Sequence, residues 1–140
     1  MRVSDILRKK GDSVVTLPSS TTVAELLEAL DDHHIGAVVV VDDGAVVGIV
    51  SERDVIRHLH AGRDQSSGLS EIMTREVHSV TTRDDLNELA ATMTERRIRH
   101  LPVIDDGALK GIISIGDVVK ARLVALEAER DHLEGYLRRS

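Results

Sequence analysis

Two short stretches of the chain combine a hydroxyl and a carboxylate at a spacing that suits ligand binding. Ser51 and Asp54 stand three residues apart, and so do Ser114 and Asp117. Each pair follows an apolar run and opens a charged segment, which predicts a strand leading into a helix. A helix N-terminus offers N–H groups to an anion, and a nearby carboxylate can accept hydrogen bonds from a ribose. Because the same spacing is also an N-capping pattern, a capping role and a ligand role both stay open.

A dense basic cluster of the sequence contains Arg96, Arg97, Arg99 and His100. Guanidinium groups match phosphate oxygens in a bidentate geometry, so the cluster could hold a phosphate. Arg side chains also favour the C-terminal end of an exposed helix, and that interpretation stays open as well.

Neither a metal site nor a catalytic centre is predicted. None of the seven histidines has a second histidine four residues away, as the helical pair of a zinc protease would. The Asp pairs 42–43 and 105–106 each precede a glycine between two apolar runs, which indicates turns rather than paired catalytic carboxylates.

Composition excludes several further classes of function. The 140 residues contain no Cys, Phe or Trp, so thiol catalysis, disulfides and Cys-ligated metals are impossible. An aromatic share of 1% and a net charge of −6 argue against nucleic-acid binding. The longest apolar run, Ala37–Val41, is too short to span a bilayer. Since the first ten residues also lack the apolar region of a secretion signal, we expect a cytoplasmic protein without membrane association.

The chain contains an internal repeat. When residues 23–59 are placed over residues 86–122, an offset of 63, 13 of the 37 pairs are identical. The flanking segments Val3–Leu7 and Leu69–Met73 also match after a shift of three residues. The predicted units are repeat 1, repeat 2 and a C-terminal helical extension, with boundaries at 1–63, 64–122 and 123–140. Each unit is small for a core of its own, so we expect the two copies to pack face to face around a shared core.

Each repeat has the pattern β-α-β-β-α. Thr22 and Glu25 form a capping box at the start of a helix. Two β-branched runs joined by Asp-Asp-Gly then predict a hairpin, and Ser51 begins a second helix. In the second repeat this last helix is expected to continue to about Leu137, with a stripe of leucines that packs on the body or forms a dimer contact.

These features resemble the cystathionine-beta-synthase (CBS) domain pair, also called a Bateman module. The resemblance rests on the two Gly-apolar-apolar-Ser-x-x-Asp junctions, the Asp-Asp-Gly hairpins and the stretches 34–41 and 97–104. It covers nearly the whole chain. It implies an α+β fold of two tandem repeats with pseudo-two-fold symmetry, and small stand-alone proteins of this kind often form homodimers.

The resemblance also implies a ligand. CBS pairs usually bind adenosine-containing molecules such as AMP, ATP, NAD or S-adenosylmethionine in clefts between the copies. The junction Asp commonly binds ribose, the junction Ser helps to hold phosphate or ribose, and residues beside the first two strands frame the adenine. Together with Arg53, which could meet a phosphate beside Asp54, the implied site residues are Thr16, Gly36, Ala37, Ser51, Arg53, Asp54, Ser79, Arg99, His100, Ser114 and Asp117.

The expected function is therefore a regulatory adenine-nucleotide sensor with no catalytic activity and no required cofactor. Ligand binding would change a surface read by an unidentified protein partner or by the second subunit. Some CBS pairs belong to large enzymes such as inosine-monophosphate dehydrogenase, but this chain has no room for a catalytic barrel. The alternative is a structural dimerisation or adaptor module with degenerate sites. Arg53 in the first copy corresponds to Gly116 in the second, so the clefts are not expected to be equivalent.

Overall fold

The computed structural model describes residues 1–11 and 13–139, which form five α-helices and two small sheets. The first sheet has the strand order β1-β2-β3, and the second pairs β4 with β5. This α+β architecture and the C-terminal helix confirm the predicted fold class. The elements are α1 (Val3–Lys10), β1 (Thr16–Leu17), α2 (Val23–His33), β2 (Ala37–Asp42), β3 (Ala45–Ser51), α3 (Glu52–His60), a 3-10 turn (Leu69–Glu71), α4 (Leu86–Arg96), β4 (His100–Asp105), β5 (Ala108–Ser114) and α5 (Ile115–Arg139).

Both predicted hairpins form with the same turn. Asp43 and Gly44 have φ angles of 50° and 77°, and Asp106 and Gly107 have φ angles of 48° and 80°. Two consecutive positive φ angles define a type I′ turn, which Asp-Gly favours and which matches the twist of an antiparallel pair. The register of the two hairpins also shifts at equivalent positions, between Val40 and Val41 and between Val103 and Ile104.

The first strand differs between the repeats. In repeat 1, β1 pairs in parallel with β2, with Thr16 opposite Val39. In repeat 2, the first strand of the predicted β-α-β-β-α pattern is reduced to an isolated parallel bridge between Val80 and Val103. Pro102 takes the position of Val39 and has no N–H to donate, which prevents the same ladder from extending.

The N-terminal segment of each repeat packs against the other repeat. Val3 and Ser4 of α1 donate backbone hydrogen bonds of 3.0 Å to residues 84 and 82, in repeat 2. Leu69 and Ser70 donate equivalent bonds of 2.8 and 3.2 Å to residues 21 and 19, in repeat 1. The two matching segments, 3–7 and 69–73, thus make equivalent hydrogen bonds, but each of them packs on the other repeat. We call them the exchanged segments, together with the residues that directly follow them.

The buried side chains form two clusters instead of the single shared core that we expected. One cluster joins repeat 1 to Leu69 and Met73, and the other joins repeat 2 to residues 3, 6 and 7 of α1. Each hairpin and its helices therefore close around their own core, which the exchanged segment completes. The boundaries 1–63, 64–122 and 123–140 stay a prediction; the structure adds that α5 runs through residue 122 without a break.

Two glycines let the exchanged segments approach the second hairpin strands. A Cβ on Gly48 would lie 2.8 Å from the Met73 Sδ atom, and a Cβ on Gly111 would lie 2.8 Å from Leu7 Cδ2. Such distances are too short for ordinary packing. The glycines of the two junction motifs are thus explained by packing across the repeats rather than by contact with a ligand.

Candidate functional site

A cavity of about 470 Å³ opens at the junction of β3 and α3, with walls from both repeats. Its volume lies within the range of small-molecule sites. Repeat 1 contributes Gly36, Ile49, Ser51, Glu52, Arg53, Asp54 and Arg57, and the second half of the chain contributes Thr74, Glu76, His78, Arg96, Arg97, Ile98, Arg99 and His100.

Asp54 caps α3 and also faces this cavity. Its Oδ2 atom accepts hydrogen bonds from the Ser51 amide at 2.8 Å and from the Ser51 hydroxyl at 3.2 Å. Within residues 1–11 and 13–139, no group donates to its Oδ1 atom. The capping role that the spacing left open is therefore present, and one carboxylate oxygen remains for a ligand.

The second junction has the same cap and an additional partner. The Ser114 amide donates to Asp117 Oδ2 at 2.9 Å, and the Asp117 amide donates to the Ser114 hydroxyl at 3.1 Å. Lys10, at the end of α1, donates to the same Oδ2 at 2.7 Å and to the Ile112 carbonyl at 2.9 Å. Burial opposes ionisation of Asp117, but the Lys10 and Ser114 hydrogen bonds hold its pKa below the ordinary value.

The cavity is lined by an excess of positive charge. Five arginines lie on its walls against three carboxylates, those of Glu52, Asp54 and Glu76. In the described parts of the chain, none of these five guanidinium groups is paired with a carboxylate. The Arg96 Nη1 atom instead contacts the His78 ring at 3.1 Å. Unpaired guanidinium groups around a cavity are well suited to an anionic ligand.

His100 lies between the two junctions. A Cβ on Gly36 would be 3.4 Å from His100 Nε2, so the ring closes against the start of β2. Burial lowers the pKa of His100, and the Lys10 ammonium lowers it further, while Glu52 and Asp117 act in the opposite direction. A neutral ring can both donate and accept a hydrogen bond, which suits a heterocyclic base.

The structure brings six of the eleven sequence-predicted site residues to this cavity. They are Gly36, Ser51, Arg53, Asp54, Arg99 and His100. The other five do not line it: Thr16 and Ser79 are exposed elsewhere, Ala37 is buried in the core, and Ser114 and Asp117 belong to the second junction. A role in ligand binding stays a prediction for all eleven.

Sequence reasoning missed the residues that follow the linker. Thr74, Glu76 and His78 line the cavity but carry no local motif. The match of Val3–Leu7 to Leu69–Met73 could have identified this segment. When the offset of 66 is extended, Glu76 aligns with Lys10. Arg57 was also missed, although it lies one helical turn after Arg53.

Both repeats match the same family model. The model for the CBS domain matches residues 3–61 and again residues 69–124. The chain belongs to the CBS domain family. The resemblance expected from the junction motifs is thereby confirmed, and the chain contains a CBS pair.

Solved structures support the same conclusion over nearly the full length of each chain. A CBS-domain containing protein from Agrobacterium tumefaciens is 42% identical with a TM-score of 0.85, over 87% of this chain and 99% of that chain. A CBS domain protein from Pyrobaculum aerophilum complexed with AMP is 28% identical with a TM-score of 0.80, over 91% and 97%. A CBS domain pair in complex with 5-methylthioadenosine and S-adenosyl-L-methionine is also 28% identical, with a TM-score of 0.79, over 91% and 98%. CBS pairs similar to this one thus include proteins crystallised with adenosine compounds.

Residues 1–11 and 13–139 include no helix that is long and apolar enough to cross a membrane.

Proposed function

We propose that this CBS pair is a regulatory module that binds an adenine nucleotide in the cavity beside Asp54 and has no catalytic activity of its own. The observation that carries the proposal is the combination, in one cavity, of a carboxylate oxygen to which no described group donates and five arginines that pair with no carboxylate among the described residues. The similar CBS pairs complexed with adenosine compounds support the same ligand class.

Asp54 is the proposed ribose ligand. Two hydrogen bonds from Ser51 fix its carboxylate at the N-terminus of α3, so the free Oδ1 atom has a defined direction. A carboxylate that is already oriented loses little conformational freedom when it accepts a hydroxyl. The role assigned to Asp54 by family resemblance is therefore compatible with its role as a helix cap.

The charge of the cavity favours a phosphate-bearing nucleotide over S-adenosylmethionine. S-adenosylmethionine carries a positive sulfonium, which the surrounding guanidinium groups would repel. AMP, ATP and NAD carry phosphates that Arg side chains bind through paired hydrogen bonds. Arg53 and Arg57 on α3 and Arg97 after α4 are the proposed phosphate ligands, since they approach the cavity from both repeats.

Calorimetric titration with AMP, ATP, NAD and S-adenosylmethionine tests the proposal. We expect binding of at least one of the three phosphate-bearing ligands, and weaker binding of S-adenosylmethionine. Arg57→Gln should weaken nucleotide binding, whereas Arg83→Gln should not, because Arg83 is exposed and lies away from the cavity. If none of the four compounds binds, the adaptor interpretation replaces the sensor.

We also propose that the module acts as a cytoplasmic homodimer whose surface an unidentified protein partner reads. Large apolar side chains are exposed on the last helix of each repeat, with Ile56 of α3 66% exposed and Leu123 of α5 55% exposed. Such side chains gain by burial in an interface. Sedimentation should give about twice 15.3 kDa, and Leu123→Glu should shift the protein towards monomer. A wild-type monomer at micromolar concentration would contradict the dimer.

A further inference from the structure

We propose that Lys10 closes the second junction to nucleotides, so that one chain binds one nucleotide, at the Asp54 cavity. The inference rests on the proposed function, because it concerns the stoichiometry of the same ligand. In this proposal, α1 limits the number of nucleotide sites in the duplicated fold.

The two junctions share the backbone frame that a ligand would need. The Ser-to-Asp cap bond is 2.8 Å in the first junction and 2.9 Å in the second. The first amide of α3 donates to the Gly36 carbonyl at 3.0 Å, and the first amide of α5 donates to the Arg99 carbonyl at 2.8 Å. A difference in binding therefore has to come from the side chains around the frame.

The decisive difference is the charge that the exchanged segments bring to each Asp. Lys10 comes from α1 and reaches the second junction, where its ammonium lies 2.7 Å from Asp117 Oδ2. Glu76 holds the equivalent position in the other segment and lines the cavity at the first junction. Asp117 thus already has a cationic hydrogen-bond donor. Among residues 1–11 and 13–139, Asp54 has only Ser51 as a donor, and it shares its cavity with two other carboxylates, those of Glu52 and Glu76.

The packing of α1 holds Lys10 in place. Val3, Ile6 and Leu7 are buried in the core of repeat 2, and Leu7 lies against Gly111. The Lys10 ammonium also donates to the Ile112 carbonyl, so two hydrogen bonds fix it. The Lys10 and Asp117 side chains are only 34% and 24% exposed, which limits screening by water. The ammonium shares Oδ2 with the Ser114 amide, and no described group donates to Oδ1. A nucleotide at Asp117 would therefore have to bind beside a carboxylate whose charge this fixed ammonium already neutralises.

The second junction has fewer cations for a phosphate at the matching positions of its own helix. Gly116 stands where the first junction has Arg53, and Ile115 stands where it has Glu52. Lys120 keeps the position of Arg57, so the second junction has one such cation where the first has two. Removing the Lys10 ammonium should therefore free the Asp117 carboxylate for a ribose, while phosphate binding there would remain weaker than at the first junction.

Calorimetry with ATP tests the inference. The wild-type chain should bind one ATP, and Lys10→Met, which keeps most of the aliphatic stem, should bind a second, weaker ATP. Lys9→Met is the matched control, because Lys9 is exposed on the same helix and forms no ion pair in the described residues. It should still bind one. Lys10→Gln repeats the test with a polar side chain, and circular dichroism checks that both Lys10 variants remain folded.

A variant with a weakened first site allows ATP binding at the second junction to be measured by itself. With Asp54→Asn the first site is weakened, and adding Lys10→Met should raise the remaining ATP affinity about tenfold or more, as expected for a charge-assisted hydrogen bond regained. Two ATP molecules on the wild-type chain would overturn the inference and leave the proposed function standing. One ATP on both folded Lys10 variants would also overturn it. If the wild-type chain binds no ATP, AMP or NAD, the proposed function fails and the inference fails with it.

Discussion

Apart from the first strand, the two repeats keep several caps and backbone hydrogen bonds at equivalent positions, and they differ in the charges around them. His34 caps the C-terminus of α2 and Arg97 caps the C-terminus of α4, and both residues have a left-handed φ of 54°. Ser19 donates its amide and hydroxyl to Asp42, and Thr82 donates the same two groups to Asp105. The junctions match as closely, yet one Asp faces a cavity while the other holds a lysine.

This difference shows which part of a duplicated unit is free to diverge. Caps, turns and strand ends satisfy backbone polar groups, and losing any of them destabilises the whole fold. The side chains that line a cleft are not needed to satisfy backbone polar groups, since water or a ligand can solvate them. Arg53 and Gly116, or Glu76 and Lys10, can therefore differ without altering the frame that positions them.

Separating the repeats should have the largest effect. The fragment 1–63 carries α1 away from its core and lacks Leu69 and Met73, which the core of repeat 1 requires. We expect it to be unfolded or aggregated, with no cooperative thermal transition. The fragment 13–76 contains the complete first cluster and should show more helix by circular dichroism. A sharp melt from monomeric 1–63 would contradict the role of the exchanged segments.

Asp54→Asn and Asp117→Asn should separate the two junctions by affinity. Losing a charge-assisted hydrogen bond to ribose costs about 1.5–3 kcal/mol, so Asp54→Asn should weaken ATP binding about 10- to 150-fold. Asp117→Asn should leave affinity nearly unchanged and cost about 0.5–1 kcal/mol of stability through its ion pair with Lys10. Calorimetry and thermal melts of both variants make the comparison. Unchanged affinity in both would reduce the two carboxylates to helix caps.

Alanine at the two packed glycines should have unequal effects on stability. At Gly48 the new Cβ would meet Met73 Sδ at 2.8 Å and the Thr74 carbonyl at 3.0 Å, and that carbonyl is held by its bond to Ile49. Overpacking of this kind costs about 1–3 kcal/mol. At Gly111 the contact is the flexible end of Leu7, so the cost should be smaller. Denaturant unfolding measures both.

Gly135→Ala is the control for that comparison. Gly135 lies inside α5 with no atom near its would-be Cβ, so alanine should stabilise the helix by about 0.5–1 kcal/mol. Equal losses at Gly48 and Gly111 would contradict the distinction between a fixed carbonyl and a movable side chain.

The matching Asp–hydroxyl clamps predict equal and small acid sensitivity in the two repeats. Hydrogen bonds from the Ser19 side chain and amide lower the pKa of Asp42, and those from Thr82 lower the pKa of Asp105. Because the folded state has the lower pKa, this stability is present above the ordinary carboxyl pKa of the unfolded chain and is lost as the pH falls through the lowered pKa of the folded state. Asp42→Asn and Asp105→Asn should each flatten the decline in melting temperature below about pH 4.

Asp43→Asn provides the reference for those variants, because no described group donates to its side chain and Asn also tolerates its positive φ. It should leave the acid decline as steep as in the wild type. A decline as steep in Asp42→Asn as in Asp43→Asn would show that the clamp contributes nothing.

Local patterns were sufficient to predict the hairpins, the capped helices and the Ser-x-x-Asp junctions. Each of these depends on residues within a few positions, as with Thr22 and Glu25 or Asp43 and Gly44. The exchange of segments could not be predicted in this way. Val3–Leu7 and Leu69–Met73 look alike, so similarity alone does not say which hairpin each one covers.

The residues of the candidate site were predictable only where a motif within their own repeat, or the alignment of the two repeats, marks them. Asp54 and Arg53 follow from the junction motif, and Arg99 and His100 from the aligned strand. The pair of Lys10 and Asp117 joins positions 107 residues apart, and no spacing rule reaches that far. The loss of the first strand in repeat 2 could have been predicted from the sequence. Pro102 stands at the position of Val39 and lacks the backbone N–H that Val39 supplies.

The exchange of segments also has a consequence for the nascent chain. Helix α1 leaves the ribosome before any of its core partners, the last of which is Val118. Synthesis adds about 5–20 residues per second, so roughly 5–20 seconds pass between the synthesis of α1 and that of this partner. The first core closes earlier, once Met73 has emerged. During this interval Val3, Ile6 and Leu7 lack the core that buries them, and apolar surface exposed in this way makes an incomplete chain prone to aggregation.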